Sequence, residues 1–212
     1  MKLVIFDCDG TLVDSELLCN LGLEHQLAEL GIQCKAEDLV QRFRGGKLAN
    51  ILANLEQEFS TSFPASFEQQ YRAKVDKLFD QHLIPCDGVV DLLESLTVPF
   101  CIASSAPRTK IERALQVTGL SHYFTECIFS SYEVGSWKPE PDLFLHAAKS
   151  MQVKPQDCCV LEDSYLGIEA ANRANMVSVY YAPNMGEKYP KASVQIAHMS
   201  EFNHKMAQHE SP

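Results

Sequence analysis

The sequence predicts an α/β protein in which helices cover both faces of a mostly parallel sheet, with a helical insertion after the first strand. From about residue 85 onwards, short apolar runs that fit buried strands alternate with segments of helical period. Repeated strand–helix units of this length favour parallel strands joined by helical crossovers. Residues 15–84 interrupt the alternation and carry only helical patterns. We therefore predict a core made of residues 1–14 and 85–212, and a small helical domain made of residues 15–84.

The first strand is predicted at residues 4–6, an apolar run that fits the centre of a sheet. After it, three helical stripes run through the insertion, with Gly31, Gly45-Gly46 and Pro64 where turns are expected. The apolar members of the stripes are Leu23, Leu27 and Leu30, then Leu48, Ile51, Leu52, Leu55 and Phe59, then Phe67, Tyr71, Val75, Leu78 and Phe79. We interpret these side chains as core packing rather than as contacts to a cofactor.

Further strands and helices are predicted in the second part of the chain. The strands are expected at residues 99–104, 127–130, 158–163, 177–181 and 193–196. The helices are expected from Pro107 to Gly119, around residues 144–151, and from Ser164 to Ala174. We expect the last ten residues or so to be frayed.

Composition and charge limit the partners that the protein can have. The 212 residues are 46% hydrophobic and carry a formal net charge of -10, which argues against nucleic acid or an anionic membrane surface as the main partner. An anionic substrate would then need a local positive site. Eight cysteines follow no disulfide or zinc spacing and are interpreted as reduced, buried small hydrophobes. With no signal-peptide pattern and no run of about 20 apolar residues, we expect a cytoplasmic protein without an obligate protein partner.

Polar side chains follow several predicted strands, either at the strand end or in the next loop. They are Asp7 and Asp9, Ser104, Lys138, and Glu162 with Asp163. Singly, each has an ordinary structural explanation: a turn, a helix cap, a solvated lysine, or an acid that suits a helix N-terminus. Together they mark the carboxyl edge of a parallel sheet, where ligands bind in such folds. Two acids spaced i, i+2 can address one metal ion and one substrate there.

The order of these residues along the chain resembles the motif set of the haloacid dehalogenase-like (HAD) hydrolases. The matching segments are Asp7-Cys8-Asp9-Gly10-Thr11-Leu12-Val13-Asp14-Ser15-Glu16, then Ser104, Trp137-Lys138-Pro139-Glu140-Pro141 and Leu161-Glu162-Asp163-Ser164. The resemblance covers nearly the whole chain and implies a Rossmann-like α/β core with the insertion as a small α-helical cap. Within the family, the sequence is similar to the β-phosphoglucomutase-like phosphatases, and there to bacterial 6-phosphogluconate phosphatase-like members.

The resemblance implies a Mg²⁺-dependent phosphatase. Asp7 would be the nucleophile that forms an aspartyl-phosphate, and Asp9 would protonate the leaving group and then deprotonate water. Mg²⁺ would be held by Asp7, by the main-chain carbonyl of Asp9 and by Asp163, with Glu162 close by. The substrate would be a small phosphorylated metabolite, such as a sugar phosphate or 6-phosphogluconate, because a closed cap excludes large polymers.

Further residues are implied to bind the phosphoryl group and the rest of the substrate. The hydroxyl of Ser104 and the main-chain N–H of Ser105 would bind phosphoryl oxygens, and Lys138 would neutralise charge on the nucleophile and the phosphate. Arg44 and Lys47, beside the glycine turn of the insertion, are placed to contact an anionic or polyhydroxyl part of the substrate. A solvated helix start explains these two residues equally well.

Two alternatives to a phosphatase agree less well with particular residues. A β-phosphoglucomutase-like mutase would use a cap histidine for proton transfer and a cap arginine to bind the distal phosphate. At the corresponding places this sequence has Cys19 and Leu48, which cannot take these roles. A non-catalytic phosphate-binding regulator would be favoured by loss of Asp7, Asp9 or Asp163, and all three are present. A phosphatase is therefore the preferred interpretation.

Overall fold

The computed structural model describes residues 1–183 and 189–210. In this part of the chain the strands are β1 (Leu3–Phe6), β2 (Phe100–Ser104), β3 (Ile128–Ser130), β4 (Cys158–Glu162), β5 (Val177–Tyr181) and β6 (Val194–Ile196). They form one parallel sheet in the order β3-β2-β1-β4-β5-β6. The predicted parallel α/β architecture is confirmed, and every predicted strand is present with its ends shifted by at most one residue.

Helices connect these strands and cover the sheet. In the described residues they are α1 (Glu16–Ala28), α2 (Ala36–Phe43), α3 (Leu48–Glu58), α4 (Phe67–His82), α5 (Val89–Ser95), α6 (Arg108–Val117), α7 (Ser131–Val134), α8 (Asp142–Ser150), α9 (Tyr165–Arg173) and α10 (Phe202–Glu210). The helices α1 to α4 lie between β1 and β2 in the chain, where the insertion was predicted. Membrane crossing would need a longer and more apolar helix than any in the described ranges.

Strand β1 lies at the centre of the sheet because its side chains are apolar on both faces. All its residues are fully buried, and it is hydrogen-bonded to β2 on one side and β4 on the other. Its side chains alternate between two separate apolar layers, one on each face of the sheet. The strand therefore delivers the next residue, Asp7, to the middle of the carboxyl edge. There the N–H of Asp7 still donates to the carbonyl of Leu161, at 3.0 Å.

One apolar layer packs beneath α8 and α9, and the other contains side chains of α5, α6, α10 and the insertion. In the insertion, α1 packs against α2 and α4. Leu23 and Leu27 on α1 are buried together with Val75 and Phe79 on α4, as the predicted stripes require. Leu30 is an exception, since it is 42% exposed in the turn after α1.

The end of the chain is more ordered than expected. Residues 202–210 form α10, which packs Phe202 and Met206 against β6 and the apolar layer behind it. The prediction of fraying is therefore wrong as far as residue 210, and residues 211–212 lie outside the described part. The cysteines are free, and five of the eight are buried, in keeping with their interpretation as small hydrophobes.

We expect Phe144→Ala to lower the free energy of unfolding by about 3–5 kcal/mol, because it removes a fully buried ring and leaves a cavity between α8 and the sheet. Leu145 on the same helix is 36% exposed, so Leu145→Ala is the matched control, with an expected loss of about 1 kcal/mol or less. Urea unfolding followed by circular dichroism measures both. Equal losses would contradict the assignment of the core face of α8.

Candidate active site

The predicted site residues converge at the carboxyl edge of the sheet. Asp7 follows β1, Ser104 ends β2, Glu162 ends β4, and Lys138 reaches in from the loop between α7 and α8. All four line one cavity of about 400 Å³ between the edge of the sheet and the helical insertion. Parallel strands bring these groups together because their carboxyl ends lie at the same edge.

A buried ion pair lies at the base of the cavity. The ammonium of Lys138 donates a hydrogen bond to Oδ1 of Asp7 and lies 3.3 Å from Oε1 of Glu162. Burial lowers the pKa of Lys138, but the Asp7 and Glu162 carboxylates raise it more, so the lysine stays charged. Burial, with a smaller contribution from Glu162, raises the pKa of Asp7 to about 8 although Lys138 opposes the shift. Lys138 is thus the local positive charge that an anionic substrate would need.

Asp7 and Glu162 of this ion pair form a cluster of three buried carboxylates with Asp163, and one oxygen from each of the three lies within 4.8 Å of the others. Burial and the neighbouring acids raise the pKa of Asp163 well above its ordinary value. In the described part of the chain, Oε2 of Glu162 and Oδ2 of Asp163 are buried without a hydrogen-bond partner. Buried oxygens that lack donors, beside other carboxylates, fit a hard divalent cation. The predicted acidic ligands therefore form a chemically suitable metal site.

Gly10 allows this cluster to be compact. Its backbone has φ +74°, and a Cβ at this position would lie 2.2 Å from Oδ2 of Asp163. A side chain would therefore push Asp163 away from the loop after β1, and the left-handed backbone would also be strained. Whether the main-chain carbonyl of Asp9 is a further ligand stays a prediction.

The Asp9 side chain is held by a group that the sequence analysis missed. Lys110 Nζ lies 2.8 Å from Oδ1 and 2.7 Å from Oδ2 of Asp9, and Ser15 Oγ donates to Oδ1 at 2.6 Å. Burial raises the pKa of Asp9, but Lys110 and Ser15 outweigh it, so the pKa lies below its ordinary value. A signal for Lys110 was available: it is a lysine in the first turn of α6, where a cation is unfavourable unless an anion is near.

Glu16, at the start of α1, is a second group that was missed. It lines the cavity, and burial together with the Asp9 carboxylate raises its pKa to about 7. The position of Glu16 depends on how the insertion packs over the sheet, which no local pattern reveals.

The two serines at the end of β2 lie where they were predicted. Both Ser104 and Ser105 line the cavity beside Asp7 and Lys138. Ser104 Oγ accepts a hydrogen bond from the N–H of Ala106 at 3.2 Å, which holds the loop in a tight turn. Among the described residues, Ser105 Oγ is buried without a partner.

The two cationic residues of the insertion that were predicted to contact substrate, Arg44 and Lys47, do not line the cavity, whereas Arg72 of the insertion does. Arg44 lies 3.7 Å from Oδ2 of Asp163, and the ammonium of Lys47 lies 3.4 Å from the centre of the Trp137 ring. Their contact with substrate stays a prediction. Gly45, between them, has φ +72°, and a Cβ there would lie 2.5 Å from Ser164 Oγ, so the glycine turn packs closely on the core.

The family follows from comparison with known proteins. A model of haloacid dehalogenase-like hydrolases matches residues 1–175. The chain belongs to the haloacid dehalogenase-like hydrolase family. It is 35% identical over 206 residues to the 6-phosphogluconate phosphatase of Escherichia coli K12, covering 95% of this chain and 93% of that relative.

Two further comparisons agree with this membership in the HAD family. A phosphorylated carbohydrates phosphatase of Thermotoga maritima is 29% identical, with 85% of this chain and 84% of the relative covered. The crystal structure of a HAD-like protein of unknown function from Agrobacterium tumefaciens matches with a TM-score of 0.85 and 32% identity over 100% of both chains. The predicted family and fold are confirmed, and the names of both curated relatives support the predicted phosphatase class.

Asp163→Asn is expected to weaken the stabilisation of the protein by Mg²⁺, because it removes one carboxylate of the cluster. At Mg²⁺ concentrations of about 100 times Kd, the wild type should gain roughly 2.7 kcal/mol in the free energy of unfolding. In EDTA the variant should be at least as stable as the wild type, since it relieves repulsion between buried acids. Thermal unfolding with and without Mg²⁺ measures both.

The control for this prediction is Asp91→Asn, which changes an exposed acid in the first turn of α5. This variant should keep the full response to Mg²⁺. An unchanged response in Asp163→Asn would contradict the assignment of Asp163 as a metal ligand.

Proposed function

We propose that the chain is a Mg²⁺-dependent phosphatase that hydrolyses small phosphorylated metabolites through an aspartyl-phosphate. The observation that carries the proposal is the buried Asp7–Lys138 pair beside the carboxylates of Glu162 and Asp163, at the base of a cavity. A carboxylate nucleophile, a cation for the transferring phosphoryl group and a site for a divalent ion are the parts that such a reaction needs.

In the first half of the reaction, an oxygen of Asp7 attacks phosphorus in line as the bond to the substrate oxygen breaks. Asp9, in its protonated form, gives its proton to the leaving oxygen and so becomes the ionised carboxylate that Lys110 and Ser15 hold. Lys138 neutralises charge on Asp7 and on the phosphoryl oxygens, and the Ser104 hydroxyl and Ser105 N–H bind those oxygens. Bound Mg²⁺ would be held by Asp7, Asp163 and the carbonyl of Asp9, with Glu162 close by, and would supply charge neutralisation between carboxylates and phosphate.

In the second half, water attacks phosphorus and the bond to Asp7 breaks. Asp9 accepts the proton from water, which regenerates the carboxylate of Asp7 and releases inorganic phosphate. Dividing the displacement into two steps suits phosphomonoesters, since their uncatalysed hydrolysis is among the slowest reactions known.

We further propose that residues 15–84 act as a cap domain and that they select the substrate. Phe43, Leu48, Ile51 and Tyr71 of the insertion line the cavity opposite the catalytic carboxylates. A volume of about 400 Å³ suits a small metabolite. The E. coli and T. maritima relatives support sugar phosphates or phosphosugar acids such as 6-phosphogluconate as the substrate class.

A phosphosugar mutase is the less favoured alternative. Cys19 and Leu48 line the cavity at the places where the mutase resemblance requires a histidine and an arginine. Burial raises the pKa of Cys19 to about 12, so its thiol stays protonated and cannot replace a histidine in proton transfer. Incubation with β-glucose 1-phosphate separates the two activities: a phosphatase releases phosphate, whereas a mutase forms glucose 6-phosphate.

Activity should depend on both Asp7 and Mg²⁺. We expect the wild type to hydrolyse p-nitrophenyl phosphate and members of a sugar-phosphate panel with Mg²⁺ but not with EDTA. Asp7→Asn should lose at least about 1000-fold in kcat, since it lacks the nucleophile. Asp91→Asn, which changes an exposed acid, should keep wild-type activity. Release of phosphate by Asp7→Asn at the wild-type rate would exclude the proposed mechanism.

Lys138→Met is expected to lower kcat roughly 100- to 1000-fold, because the developing charge on Asp7 and the phosphoryl group loses its neighbouring cation. Lys149→Met, at an exposed position of α8, is the control and should leave kcat unchanged. Steady-state kinetics with the best substrate of the panel measures kcat, and circular dichroism verifies folding. A folded Lys138→Met variant with near-normal kcat would refute the role.

A further inference from the structure

Among the described residues, the donors to Asp9 leave one acceptor position on its carboxylate. An ionised carboxylate offers about four lone-pair positions, two on each oxygen. Lys110 Nζ occupies one on Oδ1, at 2.8 Å, and one on Oδ2, at 2.7 Å. Ser15 Oγ occupies the second position on Oδ1, at 2.6 Å. The remaining position is therefore on Oδ2.

Among the described residues, Lys110 interacts most strongly with Asp9, and its charge also opposes the rise in the pKa of Glu16. The lysine side chain is only 20% exposed, and Asp9 is its salt-bridge partner. The next strongest electrostatic neighbours are Cys19 and Tyr71. Burial raises the pKa of the Cys19 thiol to about 12 and the pKa of the Tyr71 hydroxyl still further, so both are uncharged at neutral pH. The ammonium of Lys110 also lies 5.7 Å from the centre of the Phe79 ring, within the range of a cation–π contact.

We propose that Lys110 is a positioning residue that, together with Ser15, presents Oδ2 of Asp9 to the water of the second half-reaction. The role rests on the proposed function. In that step the bond between the water oxygen and phosphorus forms, the bond between phosphorus and Asp7 breaks, and the proton of water passes to the open position on Oδ2. Phosphate leaves and Asp7 is restored. A carboxylate free to rotate would meet the water less often in a reactive geometry.

Loss of Lys110 should therefore slow release of phosphate from the enzyme more than formation of the aspartyl-phosphate. The probe is p-nitrophenyl phosphate with Mg²⁺, because p-nitrophenolate leaves readily without a proton and the first half does not need Asp9. In a stopped-flow experiment, Lys110→Met should release about one equivalent of p-nitrophenolate per enzyme in a burst at near the wild-type rate. The steady state that follows should be roughly 10- to 100-fold slower than wild type, with kcat and KM reduced in parallel.

Control variants test whether Lys110 acts through Asp9. Lys110→Arg keeps a cation that can donate to both oxygens and should recover most of the steady-state rate. In an Asp9→Asn background, Lys110→Met should change the steady-state rate by less than about 3-fold, since neighbouring effects on one group are not additive. Lys149→Met, an exposed lysine of α8, should show no burst.

Ser15→Ala keeps the inference open to refutation if Lys110→Met fails to fold. It removes a single hydroxyl and should give a burst of the same kind with a smaller loss of steady-state rate.

A raised KM with unchanged kcat in Lys110→Met would assign the lysine to substrate binding and overturn the proposal. Equal slowing of both phases, or no burst in any variant, would overturn it as well. If the wild type releases no more p-nitrophenolate than Asp7→Asn, the proposed function itself fails.

Discussion

The structure depends on keeping one ammonium and three carboxylates close together out of water. Lys138 lies against Asp7 and Glu162, and Asp163 completes the cluster, with all four side chains almost fully buried. Lys138, even with Arg44 at 3.7 Å from Asp163, cannot neutralise three ionised carboxylates, so keeping the cluster ionised opposes folding when no further cation is bound. The apolar packing around the cluster must supply the free energy that offsets this cost. β1 does so from the centre of the sheet, where it is buried between β2 and β4.

The convergence of this cluster could be predicted because it follows from topology. Apolar runs with acids or hydroxyls at their ends identify parallel strands, and parallel strands end at a common edge. Asp7, Ser104 and Glu162 are therefore neighbours in any sheet that contains their strands side by side. Lys138 is not at a strand end, and its place came from resemblance to the HAD motifs rather than from topology. Its burial against Asp7 agrees with that resemblance.

Other features could not be predicted because they depend on packing between distant segments. The partner of Lys110 is 101 residues away, and Arg44 and Lys47 turn towards Asp163 and Trp137 rather than into the cavity. Side-chain direction in a loop is not contained in spacing along the chain. The final helix was missed for another reason: chain ends are frayed unless something binds them, and here β6 and its apolar layer do.

The insertion and the core share an apolar layer, and polar side-chain contacts join them as well. The polar contacts pair Lys47 with Trp137, Arg44 with Asp163, Arg72 with Tyr132, and Arg113 with Asp80. Of these, Arg113 and Asp80 form an ion pair in which both side chains are exposed, at 38% and 48%, and such a pair contributes about 0–1 kcal/mol. Burying one large apolar side chain contributes more, about 1.5–3 kcal/mol. The apolar packing that the insertion shares with the core therefore contributes more to holding them together than the exposed ion pair does.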